Sequence, residues 1–366
     1  MKNTIGSSIT LTLFGESHGE EIGCVLDGIA PGLAVSEESI AAALTRRRPQ
    51  GAMATPRVEE DEFRIVSGVF AGRTTGAPLC ILIPNKCTKS ADYESAPRLA
   101  RPSHADFCAY EKYHGFEDYR GGGHFSGRLT APIVAAGAIV RDALAARGIT
   151  VGAHISSIAS VSDPAFADIP TEMQALSRLS PDRLAVLSAD AEEGMKAAIL
   201  AAASEGDSVG GTVECAVLGM PAGVGEPFFD SVESVLSHWL FSIPAVKGVE
   251  FGDGFAITQM RGSQANDALR REGDGVVAES LHAGGIYGGI TAGVPILFRT
   301  AIKPTPSIFQ PQRTVSLPDK ENATLTLRGR HDPCIVPRAL PVIEAVTALA
   351  LADLLALRFG TDYLKM

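Results

Sequence analysis

Residues 129–146 read LTAPIVAAGAIVRDALAA, a strongly apolar run that predicts an α-helix. Pro132 falls in its first turn, where proline is tolerated, and Arg147-Gly148 ends the helix. The uncharged part of the run, residues 129–140, is shorter than the ~20 residues that cross a bilayer. We therefore expect a helix of a globular protein and no membrane span.

Strands and helices interleave around this run. Residues 8–14 alternate polar and apolar side chains, residues 22–29 form a second apolar segment, and the two could form a hairpin. Ser36 is placed to cap a helix that Pro49 ends. The other predicted strands lie in residues 63–70, 78–83, 210–218 and 288–299, and the helices cover residues 37–46, 190–204, 230–241 and 339–359.

The connections between these elements favour one fold class. Many neighbouring strands are joined by short turns, which favours antiparallel sheet in an α+β fold over a doubly wound parallel sheet. The length of 366 residues suits one large domain or two ordinary ones. Residues 160–190 have the least ordered pattern, and we expect them to be an insertion between two halves of the chain.

Charge and cysteine content exclude several classes of protein. The net charge of −10 argues against a general nucleic-acid binder, which needs a cationic face. The six cysteines include no C-x-x-C pair, so neither a disulfide framework nor a structural metal site is indicated. Residues 1–13 lack the pattern of a secretory signal, and a cytoplasmic protein is the simplest expectation. The 23 arginines against 9 lysines suit recognition of carboxylate and phosphate, although genomic composition would explain the same excess.

Residues 101–128 are the segment that most strongly indicates a site. They contain RPSHAD at 101–106 and RGGGHFSGR at 120–128, followed by the apolar helix. Glycine backbone N–H groups between arginines, with a helix behind them, form a plausible anion cradle. The spacing matches neither a Walker loop nor a dinucleotide fingerprint. Glycine-rich and basic segments at 282–290, 303–307 and 328–334 suggest one site for a ligand with several negative charges.

The segment GESHG at residues 15–19 matches G-x-S-x-G, the nucleophile elbow of serine hydrolases. That elbow requires a helix after the serine, whereas a second strand is predicted here. A serine hydrolase that uses Ser17 remains one alternative, and a non-catalytic anion-binding protein is another.

Nine segments in the same order along the chain resemble the chorismate synthase family. They are residues 15–19, 46–49 (RRRP), 67–78, 101–106, 118–128, 242–255, 283–289, 303–308 and 329–337 (GRHDPCIVP). The resemblance implies a carbon–oxygen lyase of the shikimate pathway. Its reaction converts 5-O-(1-carboxyvinyl)-3-phosphoshikimate (EPSP) to chorismate and phosphate by an anti-1,4 elimination, and it requires reduced FMN without net redox change.

The resemblance also implies roles for individual residues. His18 would act as an acid near the flavin, His104 would protonate or stabilise the leaving phosphate, and Asp332 would assist removal of the C6 proton. Ser17 and Ser126 would support these groups. The substrate anions would be held by Arg47, Arg48, Arg101, Arg128 and Arg330. The flavin would contact His124, Phe125, Ser126, Pro244, Ala245, Gly288, Lys303, Pro304, Thr305, Pro306, Ser307 and Arg330.

The resemblance further implies an overall architecture and assembly. The fold would be a layered β-α-α-β sandwich with helices between antiparallel sheets and a pseudo-twofold internal duplication, assembled as a homotetramer. Some relatives reduce their flavin with NADPH, but the family motifs fill residues 1–366. We therefore expect a single domain without a reductase domain, which depends on an external flavin reductase for reduced FMN.

Four positions depart from the common family pattern. His124 stands where many members have arginine, and Met53 where some have a basic residue. Ser103 replaces a common glycine, and Leu281 stands where an asparagine often precedes His282. None of the four removes a proposed catalytic group, but a titratable His124 weakens the expected phosphate contact at high pH.

Overall fold

The computed structural model describes residues 2–49, 61–86, 98–180, 183–273, 275–327 and 331–365. The helices are α1 (Glu37–Arg47), α2 (Asp106–Tyr113), α3 (Thr130–Ala146), α4 (Ile169–Ser177), α5 (Ala189–Ser204), α6 (Val232–Leu240), α7 (Gly262–Ala265) and α8 (Val336–Phe359). The strands of the first part of the chain are β1 (Thr4–Ile5), β2 (Thr10–Gly15), β3 (Glu21–Asp27), β4 (Arg64–Ser67), β5 (Val69–Phe70), β6 (Arg73–Thr74) and β7 (Leu79–Pro84). Those of the second part are β8 (Thr150–Ile158), β9 (Val161–Ser162), β10 (Gly211–Leu218), β11 (Val246–Phe251), β12 (Leu269–Glu272), β13 (Gly275–Ala278), β14 (Ile286–Tyr287), β15 (Ile290–Thr291), β16 (Ile296–Ile302), β17 (Gln312–Val315) and β18 (Asn322–Leu325).

Two antiparallel five-stranded sheets form the outer layers. Sheet 1 has the order β1-β2-β3-β7-β4, and sheet 2 has the order β11-β16-β10-β8-β9. The predicted hairpin is confirmed: β2 pairs with β3 from Thr10 opposite Asp27 to Gly15 opposite Ile22. Buried and less buried residues alternate along β7 and β16, because one face of each strand lies on the core.

Helices fill the space between the sheets. The helix predicted from residues 129–146 is α3, which packs on β3 and β7 of sheet 1 and directly against α8. Helix α8 packs on β8 and β10 of sheet 2, and α1 and α6 complete the two helical layers. Both α3 and α8 are apolar and long enough to cross a membrane, yet most of each helix is buried inside the protein. The α+β, β-α-α-β sandwich is therefore confirmed.

The internal duplication is visible in the order of the elements. In the first half the chain runs β2, β3, α1, β4, β7, α3, and in the second half it runs β8, β10, α6, β11, β16, α8. The sheet orders correspond strand for strand, because β2-β3-β7-β4 matches β8-β10-β16-β11. Each half is thus a four-stranded antiparallel sheet with two helices on its inner face.

Residues 160–190 do not separate the halves, so that prediction is wrong. They follow β8 and contain α4, and they lie between the first two core strands of the second half. The first half joins the corresponding strands by a short turn at residues 16–20. Helices α4 and α5 pack on the β8–β9 edge, so the extra chain covers an edge that would otherwise be open to pairing.

Close approach of α3 and α8 holds the two layers together. A Cβ added at Gly137 of α3 would overlap the Ala345 side chain and lie 2.7 Å from the Ala345 Cα. Beside this contact, buried Glu344 of α8 accepts hydrogen bonds from Arg46 of α1 at 2.6 Å and from Arg141 of α3 at 2.9 Å. Burial alone would raise the pKa of Glu344, but Arg141 and Arg46 outweigh it and lower the pKa.

We predict that Gly137→Ala lowers the free energy of unfolding by about 1–3 kcal/mol, because the new methyl group pushes against the α8 backbone. The loss should occur although alanine is the better helix former. Gly262→Ala is the control, since a Cβ there meets nothing within 4 Å. Urea unfolding measures both variants. Wild-type stability in Gly137→Ala would contradict the packing described here.

Candidate active site

The turn at residues 15–19 lies between two strands and docks on the glycine loop. Asn85 donates to the carbonyls of Glu16 and Gly19, both at 2.9 Å, and so fixes the turn. The backbone N–H of Ser17 donates to Gly123 O at 3.1 Å, and Ser17 Oγ lies 3.3 Å from His18 Nδ1. Because β3 follows the turn instead of a helix, the geometry of a hydrolase elbow is not formed.

Two of the three glycines of the loop each lie against a histidine from another segment. Gly121, Gly122 and Gly123 all have positive φ, which glycine adopts without strain. A Cβ at Gly121 would overlap the His18 ring, and a Cβ at Gly122 would lie 3.1 Å from His104 Cε1. The predicted catalytic residues His18 and His104 therefore lie against consecutive glycines, and a larger residue at either glycine would crowd a histidine.

His104 is held by its own segment. Its Nδ1 lies 2.6 Å from Asp106 Oδ1, and Asp106 is paired with the Arg101 guanidinium. Ser103 adopts a φ of 58°, a left-handed conformation that glycine adopts with less strain than serine. Lys303 Nζ donates to the carbonyl of Ser103. The cation of Lys303 thus lies beside the His104 segment.

The predicted flavin segments of the second half meet at this end of sheet 2. Lys303 N donates to Ala245 O at 3.0 Å, and Ser208 Oγ donates to Thr305 O at 2.7 Å. Val209 N donates to Pro333 O at 2.9 Å, which brings in the segment of Asp332. Ala245 holds a φ of 75°, a strained conformation for a residue with a side chain.

Two polar atoms of this region are buried without a hydrogen-bond partner among the described residues, namely Thr305 Oγ1 and His331 Nε2. The His331 ring lies 5.6 Å from the Phe309 ring. Burial lowers the pKa of His331, and the nearby charge of Arg101 lowers it further, which favours the neutral imidazole. Unpaired donors and acceptors beside an aromatic ring fit a flat cofactor that has its own hydrogen-bonding edge.

Arginines 47 and 128 are engaged within the protein. The buried carboxylate of Asp61 pairs with Arg128 Nη1, with Arg47 Nη1 at 3.2 Å and with Arg48 Nε at 3.8 Å. Arg47 is 1% exposed and also donates to Thr130 Oγ1 at 2.9 Å. The geometry gives Arg47 and Arg128 a structural role in this cluster, whereas the more exposed Arg48 has room to reach a ligand.

Asp332 is nearly buried at the start of α8. Its carboxylate pairs with Arg338 of the first turn of α8, and Arg338 Nε also donates to Arg47 O at 3.2 Å. The residues of the Asp61 cluster and Asp332 are therefore linked through Arg338, which the sequence analysis did not select.

The remaining predicted residues are distributed as follows. His124 Nδ1 bonds to Gly15 O at 2.8 Å, Phe125 packs edge-on against Tyr113, and Ser126 Oγ accepts from Arg128 N at 3.3 Å. All three belong to the glycine loop. Pro244, Pro304, Pro306 and Ser307 accompany the Ala245 and Lys303 segments.

Gly288 lies in the turn that joins β14 to β15. It lies beyond the Ile296 end of β16, whereas Lys303 follows the other end. Arg330 and Met53 lie outside the described residues.

Three residues of the site were missed by the sequence analysis, namely Asp61, Asn85 and Arg338, whereas His331 lies within the selected segment at residues 328–334. Asp61 lies in the acidic run at residues 59–62, and nothing in the sequence marks Asp61 as a buried carboxylate. Arg338 follows Pro337 at the start of an apolar helix, and a charged residue at that position was the one sequence feature that could have indicated its role.

The fold and the site together have the features of a small-molecule enzyme, with histidines and cations gathered where segments of the two duplicated halves meet. The chorismate synthase family model matches residues 9–356. The chain belongs to the chorismate synthase family.

Relatives and a solved structure agree over almost the whole chain. A chorismate synthase of Dehalococcoides mccartyi is 46% identical and covers 98% of both chains. One of Aeropyrum pernix is 46% identical over 98% of this chain and 93% of its own, and one of Thermococcus gammatolerans is 47% identical over 95% and 96%. A crystal structure of chorismate synthase matches with a TM-score of 0.78 and 29% identity, covering 99% of this chain and 95% of the other.

We predict that Asp61→Asn lowers the free energy of unfolding by about 3–5 kcal/mol, since it leaves buried Arg47 and Arg128 without a counter-charge. Glu62→Gln is the matched control, because the adjacent Glu62 forms an exposed ion pair with Lys86. That pair should contribute about 0–1 kcal/mol. Chemical denaturation would refute the buried cluster if the two variants lost the same stability.

Proposed function

We propose that this chain catalyses the anti-1,4 elimination of phosphate from EPSP to give chorismate, with reduced FMN bound. The C3–O bond to phosphate breaks with its electron pair on oxygen, and the C6–H bond supplies the pair for a new ring double bond. The existing double bond shifts between them, so substrate and product are balanced without net redox. The observation that carries the proposal is the placement of His18 against Gly121 and of His104 against Gly122.

The leaving phosphate is assigned to the His104 side of the glycine loop. The Nε2 edge of His104 lies next to Gly122, which has no side chain to block approach. Arg101 and Lys303 bring positive charge to the same segment. A protonated imidazole that donates to the phosphate oxygen as the C–O bond breaks neutralises charge that develops in the transition state.

Removal of the C6 proton is assigned to the Asp332 side. The Asp332 carboxylate is nearly buried and is oriented by Arg338. Fixed orientation favours proton transfer, because the oxygen that accepts the proton needs no rearrangement. Ser17 Oγ lies 3.3 Å from His18 Nδ1 and orients His18 beside Gly121, and His18 is proposed as the acid near the cofactor.

Reduced FMN is proposed to be held by two segments of the second half and by the glycine loop. The segments contribute Pro244, Ala245, Lys303, Pro304, Thr305, Pro306 and Ser307, and the loop contributes His124, Phe125 and Ser126. Bound reduced flavin supplies electron density to the allylic system of the substrate. The unpaired atoms Thr305 Oγ1 and His331 Nε2 support this assignment, since a ligand would satisfy both. Gly288 and Arg330 stay predicted contacts.

The substrate is proposed to be held mainly by Arg48 and Arg101, with Arg330 as a further predicted contact. Arg47 and Arg128 would position Arg48 through Asp61. Their direct binding of substrate would require them to exchange present hydrogen bonds for bonds to the ligand.

We further propose a cytoplasmic homotetramer that works as one domain and receives reduced FMN from a separate flavin reductase. The shared α3–α8 core supports a single unit. Phe228, Phe229 and Phe255 are each more than four-fifths exposed in the second half, and burying such rings favours assembly.

An anaerobic assay tests the function. Chorismate and phosphate should form in equal amounts with reduced FMN and should not form with oxidised FMN. Substrate binding without turnover would leave a non-catalytic anion-binding protein. Turnover independent of reduced flavin would sink the proposal, and serine-directed labelling of Ser17 with loss of activity would favour the hydrolase.

We expect His104→Ala and Asp332→Ala each to lower kcat by about 10²–10⁴-fold, as loss of proton-transfer groups does. Substrate affinity should change much less, because both groups act on the transition state. Single-turnover kinetics and equilibrium titration separate the two effects. Wild-type turnover in either variant would remove the role assigned to that residue.

A further inference from the structure

Asp106 is placed to control which nitrogen of His104 carries a proton. Its Oδ1 lies 2.6 Å from His104 Nδ1, the shorter of that nitrogen's two polar contacts. The other contact is Arg101 Nη2 at 3.1 Å. Because an ionised carboxylate can only accept, a 2.6 Å contact between Nδ1 and Oδ1 requires the proton to be on Nδ1, and the guanidinium, which can only donate, offers that proton no acceptor.

The Asp106 carboxylate cannot rotate away from this role. Its Oδ2 accepts from Arg101 Nε at 2.7 Å and from the Arg101 backbone N–H at 2.9 Å, while its Oδ1 accepts from Arg101 Nη2. Burial alone would raise the pKa of Asp106, but hydrogen bonds from Arg101 and His104 outweigh burial and hold the pKa far below its usual value. The group is therefore an anionic acceptor on both oxygens.

The other nitrogen of His104 then lies toward the glycine loop. A Cβ at Gly122 would lie 3.3 Å from Nε2, so any side chain at residue 122 would crowd this nitrogen, whereas glycine leaves it accessible. Nε2 hydrogen-bonds to no described residue. The charged and titratable groups around the ring are Arg101, Asp106, His18 beside Gly121, His331 near Arg101, and Lys303 on the Ser103 carbonyl. Asp332 lies near His331 and Asp118 near His18, and Asp106 is the carboxylate that contacts the His104 ring itself.

We propose that Asp106 is a positioning residue that keeps His104 in the Nδ1–H form and presents Nε2 to the leaving phosphate. The inference rests on the proposed function of His104. In the protonated ring the carboxylate offsets the positive charge of Arg101 and Lys303, and in the neutral ring it leaves Nε2 as the free acceptor. The Nε2 proton is the one transferred to phosphate as the C–O bond breaks, and the Nδ1 proton stays in place.

Asp106→Asn tests the assignment, because the amide has one acceptor where the carboxylate has two. The Oδ2 site faces two Arg101 donors, so the amide oxygen belongs there and the NH₂ group faces His104 Nδ1. That arrangement requires an unprotonated Nδ1 and reverses the tautomer. By analogy with the asparagine replacement in a catalytic triad, kcat should fall by as much as about 10⁴-fold while substrate affinity changes little.

Nitrogen-15 NMR of histidine-labelled protein reads the tautomer directly, with the His104 signals assigned through His104→Gln. Wild-type neutral His104 should carry its proton on Nδ1, and Asp106→Asn should move it to Nε2. An Nε2–H tautomer in the wild type, or turnover within about twofold of wild type in Asp106→Asn, would overturn the proposal. The wild-type spectrum stands even if the variant fails to fold.

Two further variants separate positioning from general stability. Asp106→Glu keeps a carboxylate and should recover at least about tenfold of the kcat lost in Asp106→Asn. Equal losses in the two variants would contradict a positioning role. Glu192→Gln is the control, since Glu192 also pairs with an arginine, Arg183, but contacts no histidine; it should lower stability and leave kcat unchanged. If the wild type formed no chorismate, the proposed function would be refuted instead. The tautomer of His104 measured by NMR would be unaffected.

Discussion

The contact between α3 and α8 is the constraint on which the rest of the structure depends. Gly137 lets the backbones of the two helices approach closely. The two helical layers therefore pack directly against each other, with a sheet on each outer side. Arg46 and Arg141 converge on Glu344 beside this contact, so the polar groups there are paired across three helices. Asp353, further along α8, accepts hydrogen bonds from the backbone of Ser7, Ser8 and Ile9 and so ties sheet 1 to the same helix.

The same two helices also place the site. Helix α3 begins just after the glycine loop, and α8 begins just after Asp332. Arg47 joins the two starting points, because it donates to Thr130 of α3 and accepts from Arg338 of α8. Residues separated by most of the chain therefore meet at one end of the core, where the positive ends of both helices favour an anionic ligand. The buried Asp61 cluster stabilises this end and keeps Arg48 near it.

Much of the fold could be predicted from local sequence signals. The cap at Ser36, the apolar run of α3 and the strand pair at residues 8–29 are each determined by nearby residues, and the structure contains all of them. The duplication could not be derived from pattern alone, because its halves share topology without a readable repeat, and the resemblance supplied it. The place of residues 160–190 was misjudged, since an irregular segment gives no sign of which strands it joins.

The candidate site divides in the same way. His104 and the three glycines could be selected because titratable side chains, arginines and consecutive glycines cluster within residues 101–128, and His18 because it lies in a turn bounded by glycines. Arg47 and Arg128 have the same residue type as ligand-binding arginines, and only burial and the position of Asp61 distinguish the two uses. Asp106 stood within a selected motif, but its role depends on which atoms meet in three dimensions.

Native-state hydrogen exchange tests the central claim that one helical layer pair unites both halves. The slowest amides of β3 in sheet 1 and of β10 in sheet 2 should exchange with the same free energy and the same dependence on denaturant, because both open only when α3 and α8 separate. If one sheet exchanged through a lower-energy opening while the other stayed protected, the halves would be independent units and the account would be wrong.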